Sequence, residues 1–193
     1  TSGPVFCDFS KNHISRDTLN SLLDYARACH IEEWREKLFA GDIVNESERR
    51  PATHTHLRNP EAPDHLRTPL HAMRALYHKL DSRKDITGII HIGIGGSDIG
   101  PAMVSRALAV QDTGRFRVHF LSNIDSTSLL DLLDTCRPKN TVAVISSKSF
   151  ATQETLKNAQ AVWDWLTSTD GPDSPEDHVI CVTASPDEAR KNF

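Results

Sequence analysis

Two short stretches of the chain contain residues that could bind an anion, and the first runs from Gly93 to Pro101. It converts an apolar run into glycines followed by Ser97. Glycines let the backbone turn sharply and approach a ligand closely, and the first N–H groups of a following helix point towards that ligand. A phosphate is the expected ligand. A glycine-rich turn with Ser97 or Asp98 as an ordinary helix cap explains the stretch equally well.

The glycine stretch differs from two familiar nucleotide-binding loops. Gly93 and Gly95 are followed by Asp98, where the dinucleotide-binding fingerprint requires its third glycine. No Gly-Lys-Ser/Thr sequence follows, as the nucleotide P-loop would require. Both nucleotide-binding interpretations therefore fail on residue identity.

The second stretch, from Ser146 to Thr155, combines hydroxyl side chains with a lysine. Four hydroxyl residues and Lys148 lie between the end of a predicted strand and the start of a predicted helix. The lysine supplies a point charge, the hydroxyls supply hydrogen bonds, and the helix N-terminus adds partial positive charge. Capping the helix needs one hydroxyl rather than four, so the composition of this stretch indicates anion binding.

Apolar strands alternate with helices around both stretches. We predict strands at 89–94, 117–121, 141–145 and 179–183, and helices at 101–110, 126–133, 153–166 and from Pro186 onwards. This alternation is typical of an α/β fold with a parallel sheet covered by helices on both faces. Both stretches then follow the carboxyl ends of strands, at the edge where open α/β sheets bind ligands. A phosphorylated small molecule is the simplest ligand for that edge.

The first part of the chain is predicted to be mainly helical. Apolar residues at helical spacing predict helices over 19–29, 31–40 and 66–80. Ser15 is positioned to cap the first of these helices, and Gly41 follows the second. Between 42 and 67 the sequence is polar and interrupted by prolines, so we expect an extended segment that wraps over another part of the protein.

Composition excludes several classes of function. The 193 residues carry a net charge of -4 with 25% charged residues, so no basic field favours nucleic acid or an acidic membrane surface. The four cysteines are far apart and form no Cys-x-x-Cys pair, which argues against a zinc ribbon or a disulfide framework. No segment approaches the roughly 20 apolar residues of a membrane span, and we expect a cytoplasmic protein.

Three motifs, in their order and spacing, resemble those of the glucose-6-phosphate isomerase family: Ile92 to Pro101, Ser122 to Asp125, and Ser147 to Thr155. Upstream, Asn45 to Arg58 and Asp8 to Asn12 resemble two further segments of that family. The resemblance implies a three-layer α/β/α domain of the sugar-isomerase (SIS) type, preceded by a helical N-terminal segment. We accordingly expect a helical lead-in with an extended segment over 1–84 and a sugar-phosphate-binding domain over 85–193.

The resemblance also implies which residues bind the sugar phosphate. They are Gly96, Ser97, Ser147, Lys148, Ser149, Phe150, Ala151 and Thr152. Gln153 and Glu154 would line the same cleft. Ser149 stands where the family usually has threonine, and Ala151 where a second threonine is common, so the backbone and the remaining hydroxyls would do most of the binding.

The reaction implied is the interconversion of glucose 6-phosphate and fructose 6-phosphate through an enediol(ate). The family requires no metal and no organic cofactor, and the full-length protein is expected to be a homodimer. Two alternatives stay open. A sugar-phosphate-sensing regulatory module of the same fold would explain the two loops but not the segment from Asn45 to Arg58. An isomerase that also accepts mannose 6-phosphate is the nearer alternative.

The residues of the reaction itself are expected outside this chain. The family's catalytic glutamate, ring-opening histidine and late lysine motif would lie beyond Phe193, so we expect an N-terminal fragment that is inactive alone. Glu154 is the one local carboxylate in a suitable place, but a carboxylate in the first turn of a helix is more often a structural partner. His54 and His56 are more simply explained as loop residues, and His91 as a satisfied histidine of the core.

Overall fold

The computed structural model describes residues 3–4, 6–47 and 49–193, which divide into two units, Thr1–Leu76 and Tyr77–Phe193. Three α-helices and a short 3-10 helix occupy residues up to 82: α1 (Arg16–Ala28), α2 (Ile31–Ala40), the 3-10 helix His54–Arg58, and α3 (Asp64–Ser82). The remainder alternates strand and helix: β1 (Gly88–Ile92), α4 (Gly96–Ala107), β2 (Arg117–Leu121), α5 (Ser126–Thr135), β3 (Thr141–Ser146), α6 (Gln153–Leu166), β4 (Val179–Val182) and α7 (Pro186–Asn192). Three short 3-10 turns, Ala109–Gln111, Pro138–Asn140 and Pro175–His178, lie between them.

The first two helices begin and end where local chemistry predicts. The backbone N–H of Thr18 donates to Ser15 Oγ at 3.1 Å, which satisfies one of the otherwise unpaired N–H groups at the start of α1. Helix α2 ends at Gly41, whose φ of 82° lies in the left-handed region that glycine adopts without steric cost. The predictions of Ser15 as a cap and Gly41 as a terminator are confirmed.

The sequence predicts an extended segment over 42–67, but the structure shows that this segment is only partly extended. A 3-10 helix forms over His54–Arg58, and α3 starts at Asp64. Prolines exclude a long helix, but a single 3-10 turn fits between Pro51 and Pro60 without losing a backbone hydrogen bond to either ring. Pro63 directly precedes α3, where a missing N–H has no cost.

The four strands form one parallel sheet in the order β2-β1-β3-β4. Ile92 pairs with Leu121 on one side and Ile145 on the other, and Ile145 pairs with Cys181, so these side chains form one row on the same face. That face is buried against α5 and α6. The buried core consists of Ile90, Ile92, Leu121, Ala143, Ile145, Phe150, Ala159, Val162, Leu166 and Ala189.

The opposite face of the sheet is covered less completely. His91 lies on this face, beside Phe120 at 5.4 Å between ring centroids, and its Nε2 hydrogen-bonds to Ser97 O of α4 at 2.6 Å. Val118 and Val182 of the edge strands remain 41% and 46% exposed. Helices therefore flank both faces, as predicted, but the side of α5 and α6 contains most of the core.

Helix α4 begins at Gly96 rather than at the predicted Pro101. A proline inside a helix cannot donate to the carbonyl four residues earlier, which here belongs to Ser97. That carbonyl accepts the hydrogen bond from His91 instead. The helix tolerates Pro101 because a side chain from the neighbouring strand replaces the lost backbone donor.

Candidate functional site

The two stretches singled out in the sequence begin side by side in the sheet. Strands β1 and β3 are neighbours, and their last paired residues, Ile92 and Ile145, are directly opposite each other. From β1 the chain crosses to β2 on one side, and from β3 it crosses to β4 on the other. Such a reversal of direction opens a crevice at the carboxyl edge of a parallel sheet, where α/β proteins bind their ligands.

Close packing and unusual dihedral angles shape the β1–α4 loop. A Cβ atom on Gly93 would lie 2.6 Å from the backbone oxygen of Ser97, so only glycine lets the strand end approach the helix this closely. Gly95 has φ 58° and ψ -125°, a conformation that an L side chain rarely adopts. The glycines thus turn the chain and set the position of α4.

The start of α4 has no side-chain cap. The N-cap residue is Gly95, so neither Ser97 nor Asp98 caps the helix, which removes the simplest structural explanation of those two residues. The N–H groups of Ser97 and Asp98 donate to Ile94 O at 3.2 Å and Gly95 O at 3.1 Å within the turn. Among the described residues the Ser97 hydroxyl has no hydrogen-bond partner, and Gly96 is exposed. Both are therefore accessible to a ligand at this edge.

Ser147 has a structural role at the start of the β3–α6 loop. Its side chain is buried, its N–H donates to Val182 O at 3.0 Å, and its Oγ accepts from the N–H of Phe150 at 3.2 Å. This hydroxyl closes a local turn of the loop backbone. The structure therefore places the Ser147 side chain beneath the loop rather than on its exposed surface.

Phe150 anchors the same loop in the core. Its ring is 2% exposed and packs edge-on against Phe193 at 6.2 Å between centroids. Its φ of 54° places a non-glycine residue in the left-handed region, which costs of order 1–2 kcal/mol. Burial of the ring offsets this strain. The Phe150 side chain thus points away from the exposed edge, while its backbone remains part of the loop.

The exposed part of this loop is formed by Lys148, Ser149 and Ala151, with Thr152 half-buried before α6. The backbone carbonyl of Lys148 accepts from the N–H of Ala184 at 3.0 Å and from Thr183 Oγ1 at 3.2 Å. The loop is thus tied to the segment after β4, while the Lys148 side chain is exposed. These residues provide a cation, a hydroxyl and the N-terminus of α6 at one place.

Gln153 and Glu154 begin α6 and are exposed. They contribute to a groove of about 690 Å³ that is also lined by Ile124, Leu156, Lys157, Gln160, Asn192 and Phe193. Thr152 is the N-cap of α6 but makes no capping hydrogen bond with its side chain. No capping side chain therefore accepts a hydrogen bond from the N–H groups in the first turn of α6.

Asn158 is a contributor to this edge that sequence reasoning missed. It is 3% exposed, and its Nδ2 donates to the backbone oxygen of Asn123 at 2.9 Å. The contact ties the loop after β2 to α6. The position of Asn158 on the buried stripe of α6 was the available signal, because a buried amide needs a partner.

Of the histidines considered from the sequence, one belongs to β1 and two belong to the N-terminal unit. His91 is satisfied by Ser97 O, which confirms the interpretation as a core histidine. His54 and His56 lie in the 3-10 helix of the N-terminal unit. Burial raises the pKa of the Cys181 thiol, which keeps it protonated. Within the described ranges, no three His, Cys, Asp or Glu residues are grouped to hold a metal ion.

No helix in the part of the chain that the structure describes is both long enough and apolar enough to cross a bilayer.

Comparison with known proteins matches the chain to one family. A family model described as phosphoglucose isomerase matches residues 8–192. The glucose-6-phosphate isomerase of Burkholderia lata is 40% identical over 201 residues, covering 98% of this chain and 37% of the relative. The glucose-6-phosphate isomerase 1 of Colwellia psychrerythraea is 35% identical, with 96% and 37% covered. The chain thus spans little more than a third of the length of these curated relatives.

Solved structures show the same fold. A crystal structure of a glucose-6-phosphate isomerase from Chlamydia trachomatis has a TM-score of 0.74 at 23% identity, covering 96% of this chain and 39% of that one. A hypothetical protein from Thermus thermophilus has a TM-score of 0.64 at 24% identity, covering 89% and 38%. With the family model matched over nearly the whole sequence, the chain belongs to the phosphoglucose isomerase family.

Proposed function

We propose that this chain provides the phosphate-binding part of an enzyme that interconverts glucose 6-phosphate and fructose 6-phosphate. The observation that carries the proposal is the adjacency of the β1–α4 and β3–α6 loops at the point where the sheet reverses direction. Helices α4 and α6 start there, so the partial positive charges of two helix N-termini and several hydroxyl groups lie close to the same small region. Family membership supplies the choice of sugar phosphate.

We assign each residue a role in binding according to its exposure. Gly96 and Ser97 offer an amide and a hydroxyl from one loop, and Lys148 and Ser149 offer a cation and a hydroxyl from the other. Thr152 and the backbone of Ala151 complete the second loop. The buried side chains of Ser147 and Phe150 hold the shape of that loop, so we assign them to binding through the backbone.

Gln153 and Glu154 border the phosphate region on the side of the groove. A proton shift through an enediol(ate) needs a base beside the carbon acid. Glu154 is exposed in the first turn of α6, and we assign it to the cleft wall rather than to the base. Residues 1–193 alone should therefore bind sugar phosphate without isomerising it. Robust turnover by the purified 193-residue chain, free of host enzyme, would refute this assignment.

Replacing Lys148 tests the binding site directly. In the whole protein that contains this chain, Lys148→Ala should weaken fructose 6-phosphate binding by roughly 1.5–3 kcal/mol, the value of a charge-assisted hydrogen bond. Isothermal titration calorimetry measures the change in Kd. Lys139→Ala, which removes an exposed lysine from the turn before β3 at the opposite edge of the sheet, is the matched control and should leave the Kd unchanged. Equal Kd values for Lys148→Ala and the parent protein would remove Lys148 from the site.

The family match also bears on the alternatives. It extends upstream through Asn45 to Arg58, the segment that a sensing module of the same fold would not explain. Turnover of fructose 6-phosphate by the whole protein distinguishes an isomerase from a sensor, and a parallel assay with mannose 6-phosphate tests the wider specificity. Family membership also supports a cytoplasmic homodimer for the whole protein, which sedimentation equilibrium and cell fractionation would check.

A further inference from the structure

A cavity of about 440 Å³ lies at the amino edge of the sheet, opposite the edge that carries the two loops. Its lining includes Arg115, Arg117, Arg137 and His119, and none of its lining residues is an aspartate or glutamate. The chain as a whole carries a net charge of -4, so this cavity is a local concentration of positive charge within an acidic protein. Its volume falls within the range of small-molecule sites.

The sheet provides the floor of this cavity. At the amino edge, Arg117 and Thr141 flank Gly88 across three strands, so their Cα atoms are about 10 Å apart, two strand spacings of about 4.8 Å. Gly88 contributes no side chain between them, and a Cβ there would lie 3.0 Å from Thr141 Oγ1. His119 pairs with Ile90 and therefore lies on the same face, one step further in. The absence of a Cβ on Gly88 leaves room for the Thr141 side chain in this floor.

Two of the three arginines keep their donors unused. Among the described residues, Arg117 and Arg137 have no ion pair or hydrogen bond from their guanidinium groups, and His119 has no hydrogen bond from its ring. Arg137 is fixed near the cavity through its backbone oxygen, which accepts from Thr141 Oγ1 at 2.9 Å. A guanidinium fork matches a phosphate geometrically, and two forks on one cavity match a multiply charged anion.

Arg115 differs, because its Nη donors are already occupied. Its Nη atoms donate to backbone oxygens that include those of Ile86 at 2.6 Å and Arg83 at 2.7 Å, and its Nε is 3.3 Å from an Asp81 carboxylate oxygen. It therefore stabilises the junction between α3 and β1 and adds only background charge, which Asp81 partly cancels. The ligand contacts fall to Arg117, Arg137 and His119.

The end of α5 does not account for these arginines. A helix C-terminus attracts cations through its unpaired carbonyl groups. Here the oxygen of Leu132 accepts from Thr135 Oγ1 at 2.8 Å, and that of Leu133 accepts from the N–H of Cys136 at 3.3 Å. Two of the last carbonyls of α5 are thus satisfied locally, so Arg117 and Arg137 are not consumed in capping the helix.

From these observations we infer that the amino edge of the sheet holds a second anion site, specific for a small anion that carries two or more phosphate-type charges. Arg117 and Arg137 grip the anion from opposite sides of Gly88, and His119 donates a third hydrogen bond. The site is separated from the sugar-phosphate loops by the length of the strands, so the two ligands bind independently.

Calorimetric titration with inorganic pyrophosphate tests the site in the whole protein. The titration uses a Lys148→Ala background, which disables the loop at the carboxyl edge. Arg117→Gln and Arg137→Gln should each weaken pyrophosphate binding by roughly ten- to a hundredfold. Arg117→Lys keeps the charge but loses the guanidinium fork, so its affinity for pyrophosphate should lie between those of the parent protein and Arg117→Gln. Arg106→Gln, which removes an exposed arginine from α4, is the matched control and should bind as the parent does.

Competition separates this site from the proposed substrate site. In the otherwise unaltered protein, saturating fructose 6-phosphate should leave the pyrophosphate affinity of the Arg117-dependent site unchanged. The inference is overturned if no binding is detected, if Arg117→Gln and Arg137→Gln bind as the parent does, or if Arg106→Gln weakens binding equally. Complete displacement by fructose 6-phosphate would also overturn it. Unchanged circular dichroism spectra establish that the variants are folded, as expected for exposed arginines without partners.

Discussion

Replacing Gly93 by alanine tests the packing on which the β1–α4 loop depends. The new Cβ would lie 2.6 Å from the backbone oxygen of Ser97 and 3.0 Å from its carbonyl carbon and its Cβ. Strand end and helix must therefore separate by about 0.8 Å to reach an ordinary contact of 3.4 Å. Overpacking of this kind costs about 1–3 kcal/mol.

The same displacement also strains a hydrogen bond. Ser97 O accepts from His91 Nε2 at 2.6 Å, and moving that oxygen removes about 0.5–1.5 kcal/mol of net stability. We therefore expect Gly93→Ala to lower the free energy of unfolding by about 2–4 kcal/mol. Gly96→Ala is the matched control, because no atom lies within 4 Å of its Cβ position and its φ is not left-handed. That variant should lose no stability.

Urea unfolding followed by tryptophan fluorescence measures both variants. Trp163 and Trp165 lie in α6, and the third tryptophan, Trp34, lies in the N-terminal unit. A Trp34→Phe background makes the fluorescence report on the sheet-containing unit alone. Linear extrapolation then gives the free energy of unfolding in water. If Gly93→Ala and Gly96→Ala unfold at the same urea concentration, the close approach at Gly93 does not hold α4 in place, and our account of the loop is wrong.

Three further changes test separate parts of the structure by urea unfolding. Phe150→Gly should be less destabilising than Phe150→Ala. Both variants lose the buried ring, but glycine also removes the strain of the φ of 54°, which is about 1–2 kcal/mol. A glycine variant that is less stable than the alanine variant would show that Phe150 is not strained. Arg115→Lys should lower the free energy of unfolding by about 1–3 kcal/mol, because lysine cannot reach the same set of backbone carbonyl groups. An unchanged urea midpoint would show that these hydrogen bonds do not stabilise the protein. A hydrogen bond from Arg83 lowers the pKa of Asp85 below its ordinary value of 3.8, so the unfolded chain binds the proton more readily and stability falls as pH drops through and below that value. Asp85→Asn should remove this share of the acid dependence, and an identical pH profile would contradict it.

Elements with a strong local signal could be predicted from the sequence to the residue. Helix α6 follows the apolar stripe of 153–166, and α2 ends at Gly41 because that residue alone accepts the left-handed turn at no cost. Strand β2 likewise matches its prediction at Arg117–Leu121. In these cases local preference and tertiary packing agree, so a pattern within about fifteen residues is sufficient.

The remaining features depend on contacts that no local pattern reports. Helix α4 starts before Pro101 because His91, from a neighbouring strand, replaces the donor that proline lacks. Ser147 is a serine among serines in the sequence, and only the fold shows that its hydroxyl is consumed inside the loop. The sequence could therefore indicate which loops form the candidate site, but not which side chains of those loops reach its surface.

The bond between His91 and Ser97 has an evolutionary consequence. Pro101 creates the unsatisfied carbonyl and His91 satisfies it, so the two positions form a compensating pair. Replacing Pro101 by alanine would restore a backbone N–H that can donate to Ser97 O, so His91 would no longer be needed as the donor. Replacing His91 first would leave the partly buried carbonyl of Ser97 without this partner. Substitutions at the two sites should therefore be ordered in time, with the proline changing before the histidine.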